Sequence, residues 1–377
     1  MTKRNIWKGI GWFFIFLLTT VAAILLGLYL LMWMLCKGPS VSARNTFVAT
    51  MLETGNLKFV VSWYLSEEEI LAITQAEAET DHAAALYAEL MADAGQNLSA
   101  NFVSTEADSS SVVSNVTVPA AIDEIEEIGL IPITGRTFEA KLLVVRDPSR
   151  IVLASSYPWT PAELGKSGNT IEEYCNTSNA VAAFNAGEFE TPGGPNWPGR
   201  PVGVVVSGGE ILFNEPGTGD VMIGFNDNHI LVTKEVGSMT PEQFEAYVDE
   251  YRIIDAVSFK DINDGDNNHF TKLIENGNAI DLNNRGVGAN PRTAVGQCAD
   301  GTVLILVTDG RGMAGHLGAT GQDLINIFLE YGAVNAANLD GGSSSALYYE
   351  GEYQITSSYL PNADESRKLP TAFVVTQ

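Results

Sequence analysis

The sequence predicts an α+β fold: a mixed β-sheet core with flanking helices, preceded by a transmembrane helix and a helical stalk. Three observations lead there. Apolar runs of strand length recur between Phe138 and Val375, among them Leu142–Val145 and Val303–Val307. Gly321–Tyr331 carries helical spacing, with Leu324, Ile325, Phe328 and Leu329 on one face and Gly332 as a stop. The amino terminus holds an unbroken apolar stretch.

That stretch runs from Ile10 to Leu35 without a charged residue. As a helix it measures about 39 Å, enough to cross a hydrocarbon layer of about 30 Å with some tilt. A signal peptide's apolar region is shorter, about 7–15 residues. Lys3, Arg4 and Lys8 precede it, whereas Lys37 and Arg44 follow, a bias that favours the short amino terminus inside. Residues 1–9 are expected to form a cytoplasmic tail and residues 10–36 a single-pass membrane anchor, with the remainder outside the cytoplasm. Val41-Ser42-Ala43 leaves cleavage of the anchor open.

Residues 37–125 are expected to be a stalk. Val41 to Gln96 carries helical periodicity, and Ser66-Glu67-Glu68-Glu69 before Ile70, Leu71 and Ile73 has the form of a capping box whose helix runs on to Met91. From Asn97 to Pro119 the composition turns to Ser, Thr, Asn and Asp, as in an exposed linker. Residues 126–377 read as one compact domain. Strands are expected at Phe138–Val145, Ile151–Ala154, Ala180–Phe184, Val202–Val206, Ile230–Thr233, Val303–Val307, Ala333–Leu339 and Ala372–Val375, with a short helix at Thr170–Cys175 opened by its Thr cap.

Composition removes several classes of function. The net charge is −25, and because the first 37 residues carry only basic groups, the rest is more acidic still. Such a surface repels nucleic-acid phosphates, so an anionic ligand must be captured by a local cluster of arginines. Cys36, Cys175 and Cys298 have no metal-ligand spacing and are read as thiols, with no metal expected. His82, His229, His269 and His316 accompany no Gly-x-Ser-x-Gly elbow, which argues against a serine triad. Asp261 to Asn268 is rich in calcium-type ligands, but its Gly265 falls one place early for an EF-hand loop and no Glu closes it; it reads as an exposed turn. No cofactor is expected, with calcium at this segment as the alternative.

Three polar knots interrupt the apolar runs of the last quarter: Asn290-Pro291-Arg292-Thr293, Asp309-Gly310-Arg311 and Asn338-Leu339-Asp340-Gly341-Gly342-Ser343-Ser344-Ser345. Buried strands that end in such residues gather them at one rim of a sheet, where ligands are handled. Two carboxylates, two guanidiniums and a glycine pair at one edge suit chemistry on an anion.

Together with Phe184-Asn185-Ala186-Gly187-Glu188-Phe189, these knots resemble the phosphodiester glycosidase family, whose bacterial members are often described as exopolysaccharide biosynthesis proteins. The resemblance covers roughly Phe138 to Val375, with the order and spacing of all four motifs kept. It departs at Ala186 and Glu188, where the family more often has Gly-Gly-Phe after the Asn. The resemblance implies hydrolysis of the bond between a sugar anomeric carbon and a phosphodiester oxygen.

The phosphomonoester that leaves has a second pKa of about 6, so the reaction needs less general-acid help than an ordinary glycosidase gives. It needs cations for the phosphate and a carboxylate at the anomeric carbon. Asp309, Asp340 and Arg311 are therefore the expected catalytic residues, the two aspartates undivided between nucleophile and base. Asn185, Glu188, Arg292, Thr293, Gly341, Gly342, Ser343, Ser344 and Arg367 are expected to bind substrate. Arg367 stands where the family also places a basic residue, and the amides of Gly342, Ser343 and Ser344 are candidates for an anion-binding nest. The expectation is a membrane-anchored, extracytoplasmic hydrolase of sugar-1-phosphodiesters in envelope or exopolysaccharide metabolism. The expected partners are a sugar-phosphate or glycan and, through residues 10–36, a membrane. The rival expectation is a non-catalytic carbohydrate-binding or assembly factor on the same fold.

Overall fold

The computed structural model describes residues 3–53, 58–70, 72–73, 120–191, 199–263, 268–283, 285–311, 315–357 and 365–377. Two compact units divide the chain, Met1–Glu77 and Ala78–Gln377.

In the first unit one helix spans Lys3–Lys37, and its part from Trp12 to Lys37 is long and apolar enough to cross a membrane. Helices Val41–Glu53 and Lys58–Ser62 follow. The expected capping box is present: Ser66 N donates to Glu69 Oε2 at 2.9 Å and Glu69 N donates to Ser66 Oγ at 3.2 Å. Cys36, Val48, Val61, Leu65 and Ile73 form a small buried core, which is what the helical periodicity of this stretch serves. The helix expected to reach Met91 and the linker expected at 97–119 lie outside the described residues.

The second unit is α+β. A seven-stranded sheet runs in the order Ile128–Thr134, Glu139–Val145, Val303–Thr308, Thr293–Cys298, Ala333–Asn338, Lys272–Glu275, Asn278–Ala279. One five-stranded sheet is ordered Glu352–Thr356, Ala346–Tyr349, Ala180–Asn185, Thr371–Thr376, Ile151–Ser155. The other is ordered Leu231–Glu235, Asp220–Asn226, Ile253–Lys260, Gly203–Ser207, Glu210–Glu215. Among the described residues their neighbouring strands pair antiparallel.

Alternation explains why the strands read as continuous apolar runs. In Val303–Thr308 the side chains of Val303, Ile305 and Val307 enter a core shared by all three sheets, together with Phe184, Phe373, Ile223 and Val257. Leu304 and Leu306 point the other way, onto Leu324, Ile325 and Phe328 of helix Gly321–Glu330. The other two sheets repeat this arrangement. Helix Ile171–Thr177 lays Ile171, Tyr174 and Cys175 against Ala183 and Val374. Helix Pro241–Tyr251 lays Phe244 and Val248 against Val204, Met222 and Ala256. Each of these helices opens on a Thr capping box, from Thr170, Thr240 and Thr320. With both faces covered, polar residues are pushed to the strand ends.

Candidate active site

Register brings the polar knots to one edge. Thr293 pairs with Val307, and Ala294 pairs with Asn338, so the start of one strand meets the ends of two others. Asn185 ends its own strand in the neighbouring sheet and is fully buried. It joins the two sheets: Thr293 Oγ1 donates to Asn185 Oδ1 at 2.7 Å, and Ala346 N donates to the same oxygen at 3.1 Å. Its Nδ2 donates to Asp340 O at 2.5 Å, while Asp340 N donates to Ala186 O at 3.2 Å. Asn185 and Thr293 thus hold Asp340 in place from behind.

Asp340 is half-buried, and loss of hydration pushes its carboxyl up to about 6. Opposing that rise are hydrogen bonds from Ser344 and Gly341 and the positive charges of Arg367 and Arg311. Arg367 Nη1 donates to Ser343 Oγ at 3.2 Å, and its guanidinium lies 4.7 Å from the Phe189 ring centre. Arg311 has a left-handed φ of 55°, a conformation closed by its N–H donating to Leu317 O at 3.1 Å. Its guanidinium rests on Gly342: a Cβ there would lie 2.8 Å from Arg311 Nη2, and Gly342 itself has a φ of 62°. Asp340, Arg311 and Arg367 therefore share one pocket of charge.

Glu188 lies beside them. Burial pushes its carboxyl up to about 7, the Asp340 and Asp220 charges push the same way, and Lys260 pulls it down. Lys260 Nζ is 3.9 Å from Glu188 Oε1, and Glu188 Oε2 is buried with no hydrogen-bond partner among the described residues. The backbone fixes the residue, since Glu188 N donates to Ser258 O at 2.9 Å and Val202 N donates to Glu188 O at 3.0 Å. Gly187 allows this close passage, because a Cβ there would lie 2.7 Å from Val257 Cβ.

Other expected site residues are placed differently. Both oxygens of Asp309 are engaged: Glu139 N donates to Oδ1 at 2.8 Å, and His316 Nδ1 lies 2.5 Å from Oδ2. That hydrogen bond, more than the Asp309 charge, raises the His316 pKa. These bonds tie Asp309, and with it the loop that carries Arg311, to strand Glu139–Val145 and to His316. Arg292 is a brace as well, with Nε donating to Ala319 O at 3.3 Å, Nη2 to Gly288 O at 2.9 Å, and its guanidinium 5.0 Å from the Phe270 ring centre. Two of the three amides expected to form a nest are engaged, Gly342 N donating to Pro291 O at 2.8 Å and Ser344 N to Gly341 O at 3.1 Å. The turn also offers side chains: the Ser343 hydroxyl accepts from Arg367, and the Ser344 side chain bonds Asp340.

The calcium-type segment is tied into the protein at Asp261, whose Oδ1 pairs with Arg285 and whose Oδ2 accepts from Thr271 N at 3.1 Å; residues 264–267 of it lie outside the described residues. Cys36, Cys175 and Cys298 are free thiols. Phe189, Lys260, Asp220 and His316 surround the site without having been expected there. The end position of Lys260 on the apolar strand Ile253–Lys260 was the available signal for it.

Comparison with known proteins bears on the fold and the family. The catalytic domain of zebrafish N-acetylglucosamine-1-phosphodiester alpha-N-acetylglucosaminidase, auto-inhibited by its pro-peptide, has a similar fold. Its TM-score is 0.50 at 19% identity, covering 67% of this chain and 82% of that one. The SPbeta prophage-derived uncharacterized protein YomE of Bacillus subtilis (strain 168) is 45% identical over 64 residues, 17% of this chain. The chain spans about a tenth of the length of that curated relative, 10% of it being matched. A family model described as phosphodiester glycosidase matches residues 178–376, more than half of the chain and all four motifs. The chain belongs to the phosphodiester glycosidase family.

Proposed function

We propose that the protein hydrolyses sugar-1-phosphodiesters at the bond between the anomeric carbon and the bridging oxygen, outside the cytoplasm and tethered by its amino-terminal helix. The supporting observation is the meeting of the Arg311 and Arg367 charges at the Asp340 carboxylate, in a chain whose family acts on such bonds. The guanidiniums hold the phosphate oxygens and stabilise the charge that gathers there as the bond breaks. Cleavage releases a phosphomonoester dianion, which leaves without a proton. Water adds to the anomeric carbon, and Asp340, ionised above about 6, stabilises that carbon or takes the water proton. Glu188 stands on the same side as a second carboxyl. Asn185, Thr293 and Asp309 position these groups without touching substrate. Sugar polymers of the envelope or an exopolysaccharide are the substrate setting this anchorage suits.

The test is turnover by the full chain on a panel of hexose-1- and N-acetylhexosamine-1-phosphodiesters. Free sugar and a phosphomonoester are expected in equal amounts, and Asp340→Asn is expected to lose at least about a thousandfold in kcat while melting no lower than the native chain. Binding of the panel with no hydrolysis by the native chain would support a carbohydrate-binding factor instead.

A further inference from the structure

The first unit carries a second contact surface. Every residue from Trp12 to Leu31 is exposed, after which Met32 and Leu35 become partly covered and Cys36 is buried against Val48, Val61 and Leu65. The exposed run of twenty residues is about 30 Å long as a helix, the thickness of a bilayer's hydrocarbon layer. The apolar helix is therefore longer than the layer, and one side of its last turn, at Leu35 and Cys36, is covered by protein.

Depth along the helix is fixed by a ring contact. Tyr64, in the turn after helix Lys58–Ser62, packs on Tyr29 with ring centres 5.5 Å apart. Tyr29 lies in the final turn of the exposed run, so the turn that carries Tyr64 comes down to the level where that run ends. Beside Tyr64, Trp63 is 72% exposed, an unusual setting for a large aromatic residue beside a buried core. Trp33, 50% exposed, sits one turn beyond Tyr29 on the same helix face. Above this level come the charges, with Lys37 Nζ paired to Glu69 Oε1 at 2.6 Å. Trp and Tyr collect where hydrocarbon gives way to headgroups, because their rings are apolar and their N–H or O–H groups need a polar partner.

We propose that Trp63 and Tyr64 complete, with Tyr29 and Trp33, an aromatic girdle in the outer interface of the bilayer. The helical unit then rests on the membrane through the Trp63 turn instead of standing off it as a free stalk. The occupant of this surface is the boundary between lipid headgroups and acyl chains, and the continuity of the Trp63 turn with the apolar helix selects it. The proposal rests on residues 10–36 being a membrane anchor.

The experiment uses the full chain reconstituted into phosphatidylcholine vesicles, comparing native protein with Trp63→Phe. The difference between their emission spectra isolates Trp63, an exposed residue whose replacement leaves the buried core intact. That difference emission should be blue-shifted and lose roughly half its intensity to phospholipid brominated near the top of the acyl chain, with little loss to aqueous iodide. Emission quenched by iodide and untouched by brominated lipid, in protein that resists alkaline carbonate extraction, would overturn the docking and leave the anchor standing. Protein extracted by carbonate would overturn both. The catalytic reading is untouched by any of these results, since turnover is measured separately.

Discussion

Asp340 bears directly on Glu188: its negative charge adds to burial in holding the Glu188 carboxyl up to about 7, against the pull of Lys260 3.9 Å away. With Asp340 held up to about 6 and Glu188 up to about 7, the site changes protonation near neutral pH. Turnover that needs ionised Asp340 should rise as pH passes about 6. If Glu188 acts in its protonated form, turnover should fall again above about 7, and Glu188→Gln should remove that alkaline fall. The measurement is kcat/KM against pH for both proteins; identical profiles would take Glu188 out of the reaction.

The same pairing makes a stability prediction. Glu188 has a folded pKa above its ordinary value of 4.5, so the fold prefers the protonated form. As pH rises from 4.5 through about 7 the buried group must ionise, and stability is lost over that window. At 1.36 kcal/mol per pKa unit the loss is up to about 3 kcal/mol. Glu188→Gln should therefore melt several degrees above the native chain at about pH 8, with the gap closing at about pH 4.5.

Asn185 is expected to matter through folding more than through contact with substrate. Asn185→Ala leaves the Thr293 hydroxyl, the Ala346 amide and the Asp340 carbonyl without their partner in a buried place. Unpaired buried groups cost about 1–3 kcal/mol each, so a total loss of about 3 kcal/mol or more is expected in denaturant unfolding. A loss of activity with no loss of stability would move Asn185 to the substrate.

Much of this site was legible because two-sided burial sends most polar residues to the strand ends. The knots at Asn290–Thr293, Asp309–Arg311 and Asn338–Ser345 stand out against runs such as Val303–Thr308, whose residues are all buried. The division of labour among them was not legible. Asp309 and Asp340 look alike in sequence, each at a strand end before a glycine. Only the fold shows Asp309 held by Glu139, 170 residues earlier, and by His316. Nothing in the sequence marks the Pro291 and Gly341 carbonyls that accept from the Gly342 and Ser344 amides. Strand Ile253–Lys260 escaped notice because Asp255 breaks its apolar pattern; that carboxylate accepts from Leu153 N and Gly208 N, partners that no local pattern announces.

Gly342 tests the placement of Arg311. Gly342→Ala adds a methyl 2.8 Å from the Arg311 guanidinium at a φ of 62°, where a side chain is strained. The arginine must move, so KM for the phosphodiester should rise about tenfold or more, with a loss of about 1 kcal/mol in stability. An unchanged KM would separate Arg311 from the phosphate.

The central claim is that the anomeric carbon, and not the phosphorus, is attacked beside Asp340. Hydrolysis in ¹⁸O-labelled water followed by mass spectrometry of both products decides it. The account predicts the label in the anomeric hydroxyl of the released sugar and none in the phosphomonoester. Label in the phosphate would contradict it, because water would then have attacked phosphorus.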